Sequence, residues 1–478
     1  MSTLASPSVC PISLVRFVRS LLFALFVLLA GRLFFFCQSV LYCSRKPERA
    51  KARRGFCAYF EHPYIDGGTE LTLHFGSLYW PSTRPNPPAY PSLEGTARCR
   101  ALIVGGGMAG IMCGHVLARS GISAAVIERD RIASGSTSAN TGLLQYSNDM
   151  MLSELAAQIG EADAAAFYRE CKAAVQQLGL TAGLLARDVG YKPRTSLYLA
   201  SSEADVPKLR REYEMLDKHG FGVEWWDAER IQSEFPFRKP AGIVTRGDGE
   251  INPYLFVVSL AEDAAAHGLA IYERTPLLSI SGQKGRFIAK TPSGTIESEF
   301  VVRAIGYTPE AASHPWINAR LNRSYVIVTK PLPSLADWRD RWLLWETARP
   351  YLYLRTTNDG RIMAGGLDEP HSQPVTTGEE LNRRSQRLLS EVRKLFPAWG
   401  QELQLAYGWC GTFGESADGL PWLGEDPLRP GCYYALGYGG NGTVYSAIAS
   451  RLIRDLILGE EHPAARIVRL DRRSRNRT

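Results

Sequence analysis

The stretch that most constrains this chain runs from Ala101 to Glu128. It opens with a short apolar run, Ala101 to Val104, of the kind that forms a strand buried on both faces. Gly105-x-Gly107-x-x-Gly110 follows, and then a helical pattern over Met108 to Ser120 that Gly121 stops. The three glycines have separate tasks in such a strand–turn–helix. Gly105 permits the tight turn, Gly107 lets a pyrophosphate approach the backbone, and Gly110 lets helix and strand pack closely. The first helical residues, Met108 and Ala109, present free N–H groups and the positive end of the helix dipole to an anion. Ala124 to Glu128 reads as the next strand and ends in a carboxylate, followed by Arg129. A carboxylate there accepts both hydroxyls of a ribose and disfavours a 2′-phosphate. Strand, turn, helix, strand and acid together specify a dinucleotide site; the bland alternative is a glycine-rich turn in a generic βαβ unit.

Which dinucleotide is bound turns on two further segments. Ser134 to Gly142, SGSTSANTG, is small and rich in hydroxyl groups, with Ser136, Thr137, Ser138, Asn140, Thr141 and Gly142 as candidate contacts. An NAD site needs no such loop just after the acid. A flavin site does, because the ribityl chain extends past the first crossover; the alternative is a polar loop that caps the helix expected near Leu152. Near the end, Gly437, Gly439, Gly440 and Gly442 precede a helix that begins near Thr443. A second helix N-terminus is thereby carried by a backbone that can approach a ligand closely. Aimed at a flavin ring, it would stabilise the negative charge that develops there on reduction. Asn441 either adds a side-chain donor or caps this helix.

The rest of the chain alternates helical and extended patterns. Helices are expected over Leu152 to Leu185 with a break near Gly160, and over Val206 to His219, Asn252 to His267, Glu379 to Leu395 and Val444 to Leu458. Strands are expected over Arg194 to Ala200, Ala270 to Ile280, Phe287 to Thr291, Glu299 to Ile305, Gln404 to Cys410 and Cys432 to Leu436, with β-rich blocks at Tyr325 to Lys330 and Trp342 to Leu367. The fold class expected is α/β, α+β overall: a Rossmann-like nucleotide-binding domain with an inserted antiparallel-sheet domain that covers the cofactor's reactive end. The segments are an N-terminal apolar stretch with a basic linker (1–70), a proline-rich arm (71–98), and nucleotide-binding parts at 99–190, 244–310 and 404–460. Substrate-domain parts occupy 191–243 and 311–403, and a basic tail 461–478.

Charge and cysteine content exclude several functions. The net charge of +7 is concentrated in Arg16, Arg19, Arg32, the Arg45–Arg54 linker and the Arg466–Arg477 tail, which leaves a mildly acidic body unsuited to nucleic acid. The nine cysteines are scattered with no C-x-x-C pair, which fits neither a disulfide framework nor a zinc site. No metal-ligand spacing is present. Residues 20–43 are largely apolar, interrupted by Arg32, with basic residues close behind, and read as a candidate membrane anchor that would leave the body cytoplasmic. The alternative is a later translation start, which would need a codon other than methionine before Met108.

These motifs resemble the FAD-dependent oxidoreductases of the D-amino-acid oxidase and glycine oxidase type, most of all bacterial members of unassigned substrate. The matching pieces are GGGMAG (Gly105 to Gly110), Glu128, GSTSANTG (Gly135 to Gly142), VVRAIGY (Val301 to Tyr307, with Gly306), WCGTFGESADGLPWLG (Trp409 to Gly424) and GYGGNGT (Gly437 to Thr443). The resemblance implies bound FAD, hydride transfer from a substrate carbon–nitrogen unit to flavin N5, and reoxidation by O2 or a quinone. In glycine oxidase-like members an arginine clamps the substrate carboxylate; the matching position here is Phe413, so a simple α-amino acid is a doubtful substrate. Arg355, with Tyr353 beside it, is the next candidate clamp, the alternative being a structural strand residue. Some relatives tether the flavin through a cysteine. Gly411 holds that position and Cys410 stands one residue away, so FAD is expected to be non-covalent. Two other functions remain at this stage, an NAD-linked dehydrogenase and a membrane-tethered flavoprotein without catalytic activity.

Overall fold

The computed structural model describes residues 73–370, 375 and 377–472. The candidate anchor at 20–43 lies outside the described residues. Among those described, no helix is long and apolar enough to cross a membrane.

Eighteen strands, numbered in chain order, form two sheets among the described residues. They are β1 (His74–Ser77), β2 (Gly95–Val104), β3 (Ala124–Ile127), β4 (Leu143–Leu144), β5 (Lys192–Leu199), β6 (Glu224–Asp227), β7 (Ala241–Glu250), β8 (Ala270–Tyr272) and β9 (Ser279–Gln283). The others are β10 (Arg286–Lys290), β11 (Gly294–Arg303), β12 (Ala319–Thr329), β13 (Leu343–Glu346), β14 (Leu352–Thr356), β15 (Ile362–Pro370), β16 (Leu405–Ser416), β17 (Trp422–Glu425) and β18 (Cys432–Leu436). The smaller sheet has the order β17-β18-β11-β2-β3-β8, and β18, β11, β2, β3 and β8 run parallel. Its other two members, β9 and β10, meander antiparallel from β11. The larger sheet has the order β1-β16-β12-β15-β14-β13-β5-β7-β4, with β6 added on β7, and is antiparallel except for β13 against β5.

Alternation along β2 explains why its sequence is apolar without a break. Ala101 and Ile103 point into a core shared with helices Met108–Arg119, Pro253–Ala266 and Gly442–Leu458, whereas Leu102 and Val104 point to a second core closed by Phe287 and Ala289 of β10. Ala124 and Val126 of β3 repeat the first face, and Ala125 and Ile127 the second. A strand buried on both faces needs no polar residue. Helix Pro253–Ala266 starts where Asn252 accepts from the Leu255 N–H at 2.9 Å, with Pro253 in the first turn. The expected break at Gly160 is real: its φ of +90° separates helices Leu152–Ile159 and Glu161–Leu184.

The larger sheet is covered on one side by helix Gly378–Leu395, through Leu381, Leu388 and Val392, and by a stack of Trp338, Phe396 and Trp399. The inserted part differs from expectation at two of its four seams. β7 and β16, placed by sequence largely in the nucleotide-binding segments beginning at 244 and 404, pair within the larger sheet. β7 is hidden in sequence because Gly247, at φ +90°, is the extra residue of a bulge between Arg194 and Thr195 of β5. The strand expected from Ala270 to Ile280 stops at Tyr272, because Arg274 turns left-handed (φ +49°) and Pro276 follows. The start of the tail is packed rather than solvated: Ile467, Val468 and Leu470 are buried, and Arg472 forms a two-point pair with Asp418 at 2.9 Å.

The arm ahead of β2 is built into the body. β1 pairs with β16 in register His74 to Gly411, and Trp80 is 3% exposed. Its indole N–H donates to the Asn140 carbonyl at 2.6 Å, while Tyr79 O–H donates to Asp359 at 2.8 Å.

Candidate active site

The glycine turn after β2 behaves as three different constraints. A side chain on Gly105 (φ +108°) would overlap the Ala304 carbonyl, and one on Gly110 would overlap the carbonyl of Gly105. Gly107 is different. The nearest atom to an added Cβ is Thr137 Oγ1 at 3.4 Å, so the chain itself leaves room there for a ligand. Helix Met108–Arg119 begins at this residue, with extended backbone at Gly107 and no side-chain cap. The Met108 N–H donates to Thr137 Oγ1 at 2.9 Å, and Ala109 follows it in the first turn. Glu128 directly follows the next strand, β3; its Oε2 accepts from the Gly106 N–H at 2.6 Å and its Oε1 from the Asp130 N–H at 3.0 Å. Burial raises the pKa of this carboxyl, opposed by those two N–H donors. Each oxygen keeps a lone pair for a further donor. Arg129 is half-exposed, with its guanidinium 3.4 Å from Asp130.

The hydroxyl-rich loop folds as a short helical turn, Ser136–Ala139. Thr137 joins it to the nucleotide helix, and Ser138 donates to the Ala133 carbonyl. The backbone of the next residues is held from three sides. Trp409 Nε1 donates to the Ala139 carbonyl at 3.0 Å, Trp80 Nε1 to that of Asn140, and Asn140 Oδ1 accepts from the Gly142 N–H at 2.6 Å. Gly142 (φ +72°) is packed against the Ile251 carbonyl.

Arg355 belongs to this bracket and not to a substrate clamp. It is 2% exposed; Nη1 donates to the carbonyls of Thr141 (3.1 Å), Gly142 (2.8 Å) and Ile251 (2.8 Å), and Nε to that of Thr356. Glu250 lies 3.6 Å away as counter-charge. A guanidinium committed to three loop carbonyls is held by charge-assisted bonds, and Arg355 is not among the residues that line the cavity where these loops meet. The strand reads outward at Tyr353, two residues earlier, whose ring lies against Gly365.

The second glycine segment leads into helix Gly442–Leu458. Gly439 is left-handed (φ +116°), and the Gly440 N–H donates to Asp149 Oδ2 at 3.0 Å, an approach a side chain on Gly440 would block. Asn441 makes no side-chain cap. Its Nδ2 instead donates to the carbonyls of Gln145 and Ser147, both at 3.0 Å, and to Asn148 Oδ1 at 2.7 Å, which ties the glycine turn to the strand end after the hydroxyl loop. Asn140 Nδ2 reaches Thr443 Oγ1 at 3.3 Å. Gly306, at φ +60°, has open space where a Cβ would stand, and its carbonyl accepts from Tyr438 O–H at 2.7 Å.

These segments meet at one cavity of about 1060 Å³, counted to its open mouth. Ser136, Asn140 and Thr141 line one part, Gly439 through Thr443 another, and Tyr353 and Phe413 a third. Glu128, Arg129, Gly105 to Gly110, Thr137, Ser138, Gly142 and Gly306 stand outside this lining, the first group reached through Thr137. Gly411 lines the cavity, whereas Cys410, 2% exposed, points into the opposite core. Of Trp338, Trp342 and Trp345, read from sequence as packing the inserted sheet with one of them able to line the pocket, Trp345 lines it; sequence reading missed Asp149, Tyr307, Tyr351 and Asp368, which also do. A signal existed for Asp149, which follows the hydroxyl loop within the same run; Asp368 carries none, because β15 reads as ordinary strand.

The chain fits an FAD molecule by its own geometry. Room for a ligand at Gly107, an acid with spare lone pairs beyond it, and the cavity lined by the hydroxyl loop and the second glycine turn are joined by the Thr137 turn.

A family model described as FAD dependent oxidoreductase (DAO) matches residues 100–456. Glycine oxidase of Geobacillus kaustophilus (strain HTA426) is 28% identical over 385 residues, 77% of this chain and 94% of that one. Gamma-glutamylputrescine oxidoreductase of Escherichia coli (strain K12) is 22% identical over 416 residues, 82% of this chain and 90% of that one. The crystal structure of L-proline dehydrogenase from P. horikoshii superposes with a TM-score of 0.67 at 20% identity, covering 80% of this chain and 99% of that one.

Proposed function

The chain belongs to the DAO family of FAD-dependent oxidoreductases, and from that premise we propose that it oxidises a carbon–nitrogen bond of an amine or amino-acid derivative. What carries the reading is the convergence of the Ser136–Thr141 loop and the Gly439–Thr443 turn on one cavity that also holds aromatic and carboxylate side chains. Glycine oxidase and gamma-glutamylputrescine oxidoreductase, both by name enzymes of amino compounds, add support.

In this reading the backbone at Gly107 and Ala109 would hold the pyrophosphate, the Met108 N–H being given to Thr137 Oγ1, and Glu128 would hold the ribose of FAD. The Ser136–Thr141 loop and the Gly439–Thr443 turn would hold its other half. Bound FAD supplies a two-electron acceptor. The protein's part is positioning and electrostatics. The first N–H groups of helix Gly442–Leu458 have no intrahelical partner and are placed to stabilise negative charge at the cavity. Tyr351, Tyr353 and Phe413 shape the substrate side and exclude water. The segments 99–190, 244–310 and 404–460 act as the cofactor domain with the seams shifted as described, and the larger sheet as the substrate domain.

The electron acceptor is O2 or a quinone, and residues 20–43, read as an anchor, favour a membrane quinone. Anaerobic bleaching of the purified flavoprotein against amines, N-methyl amino acids, D-amino acids and proline analogues tests the reaction class. A colourless protein would indicate an NAD-linked dehydrogenase, and a yellow one that no amine bleaches a non-catalytic flavoprotein. Peroxide yield with and without a quinone analogue separates the two acceptors.

A further inference from the structure

Among the described residues, Asp149 and Asp368 are the only charged side chains that line the cavity, and no lysine or arginine does so. Asp149 is brought in by Gly440, whose N–H it accepts. Asp368 stands at the end of β15, hydrogen-bonded by Ser324, with its Oδ1 buried and without a hydrogen-bond partner. Trp345, 4% exposed and stacked on Tyr198 at 3.7 Å, lines the same cavity, and its indole N–H is likewise buried without an acceptor. Arg349, whose charge reaches Asp368, is not among the residues that line the cavity: it lies 4.8 Å from the Tyr351 ring centre and donates to the backbone carbonyls of Ala348 and Asp149, which leaves both Asp149 carboxylate oxygens to other donors. Glu415, on β16, adds a further carboxylate whose field reaches Asp368.

We propose that Asp368 and Asp149, with the rings of Tyr351 and Tyr353, form a receptor for a substrate ammonium group. The protein then takes cationic amines without a carboxylate beside the reacting nitrogen in preference to α-amino acids. This rests on the amine-oxidising reading and narrows it. A carboxylate attracts an ammonium most where water is excluded, and aromatic faces add to that attraction. The same wall repels an anion, and Phe413 offers a carboxylate no counter-charge. The unpartnered Trp345 N–H suits a neutral oxygen elsewhere on the ligand. Burial, with Asp149 and Glu415 nearby, pushes the Asp368 carboxyl up to about 7, against Ser324 and Arg349. A cation in the cavity would draw it back into the charged form.

The test uses a size-matched pair of non-oxidisable probes, tetramethylammonium and pivalate, titrated into the holoenzyme by calorimetry. Tetramethylammonium should bind more tightly than pivalate. Asp368→Asn should weaken it by about tenfold (~1.4 kcal/mol) or more. Asp149→Asn should act in the same direction, and Phe413→Arg should invert the preference; either variant decides the matter should Asp368→Asn not fold. Tighter binding of pivalate, no binding of tetramethylammonium, or unchanged cation affinity in the aspartate variants overturns the proposal. Anaerobic bleaching by α-amino acids but not by diamines or alkylamines also overturns it and leaves the amine reading standing. Bleaching by none of these compounds removes that reading and this one together.

Discussion

Asp368→Asn should make the protein more stable, and more so as the pH rises from 5 to about 7. Burial and the neighbouring Asp149 and Glu415 raise this carboxyl from 3.8 to about 7 in the folded chain. A carboxyl raised on folding binds its proton more tightly in the native than in the unfolded state. The native state is therefore favoured below the unfolded pKa, and that advantage is lost progressively until pH passes the folded value. Three pH units at ~1.36 kcal/mol each set an upper bound of about 4 kcal/mol at pH 8. Asp368 is partly open to the cavity, and solvent screening reduces the effect to about 1–2 kcal/mol. The asparagine keeps the shape and a group able to bond Ser324 but carries no charge. Urea midpoints of wild type and Asp368→Asn, measured between pH 5 and 8 at fixed FAD, should diverge up to pH 7 and then run parallel. A gap independent of pH, or a variant less stable than wild type at pH 8, would refute the assignment of a buried, destabilising charge at this position.

Gly107→Ala should weaken FAD binding at least ~10-fold, with the fold nearly unchanged, because Thr137 Oγ1 stands 3.4 Å from the added carbon; FAD titration and thermal melting separate the two effects. Gly110→Ala, which drives a methyl group into the Gly105 carbonyl, should instead cost several kcal/mol of stability, about 1–3 or more, and show it in the melting midpoint. Arg355→Met should destabilise by about 3–5 kcal/mol, since it removes one of the two arginines paired with buried Glu250, Arg194 being the other, and takes the donor from the Thr141 and Ile251 carbonyls; at permissive temperature the surviving holoenzyme should keep wild-type discrimination between tetramethylammonium and pivalate. Glu128→Gln should weaken FAD about tenfold by fluorescence titration while the Gly106 contact is kept through the amide oxygen.

What the sequence disclosed was local. The strand, glycine turn, helix and acid from Ala101 to Glu128 follow from residue spacing alone, because each contact there joins neighbours along the chain or across one crossover. The Ser136–Thr141 and Gly439–Thr443 segments were legible as ligand-facing loops, but their meeting depends on Asn441 reaching Gln145 and Ser147 nearly three hundred positions away. Arg355 misled because an arginine on an alternating strand looks the same whether it faces a ligand or a loop carbonyl; only the fold decides which side Thr141 and Ile251 occupy. β7 was invisible because Gly247, Asp248 and Gly249 imitate a turn. In place, Asp248 is buried and bonded to the Tyr146 N–H and Thr245 Oγ1. Asp368 had no sequence signal, since its significance arises from lining the same cavity as Asp149, a residue more than two hundred positions away along the chain.

The short strand β1 gives the arm a mechanical role. It seals the free margin of β16, the strand that bears Phe413, and a few residues on Trp80 pins the Asn140 carbonyl beneath the cavity. Whatever grips the polypeptide upstream of His74 therefore holds, through one continuous tether, both a wall and a floor of the reaction chamber. Severing the chain between Arg84 and Gly95 would leave every glycine motif intact and still loosen the site.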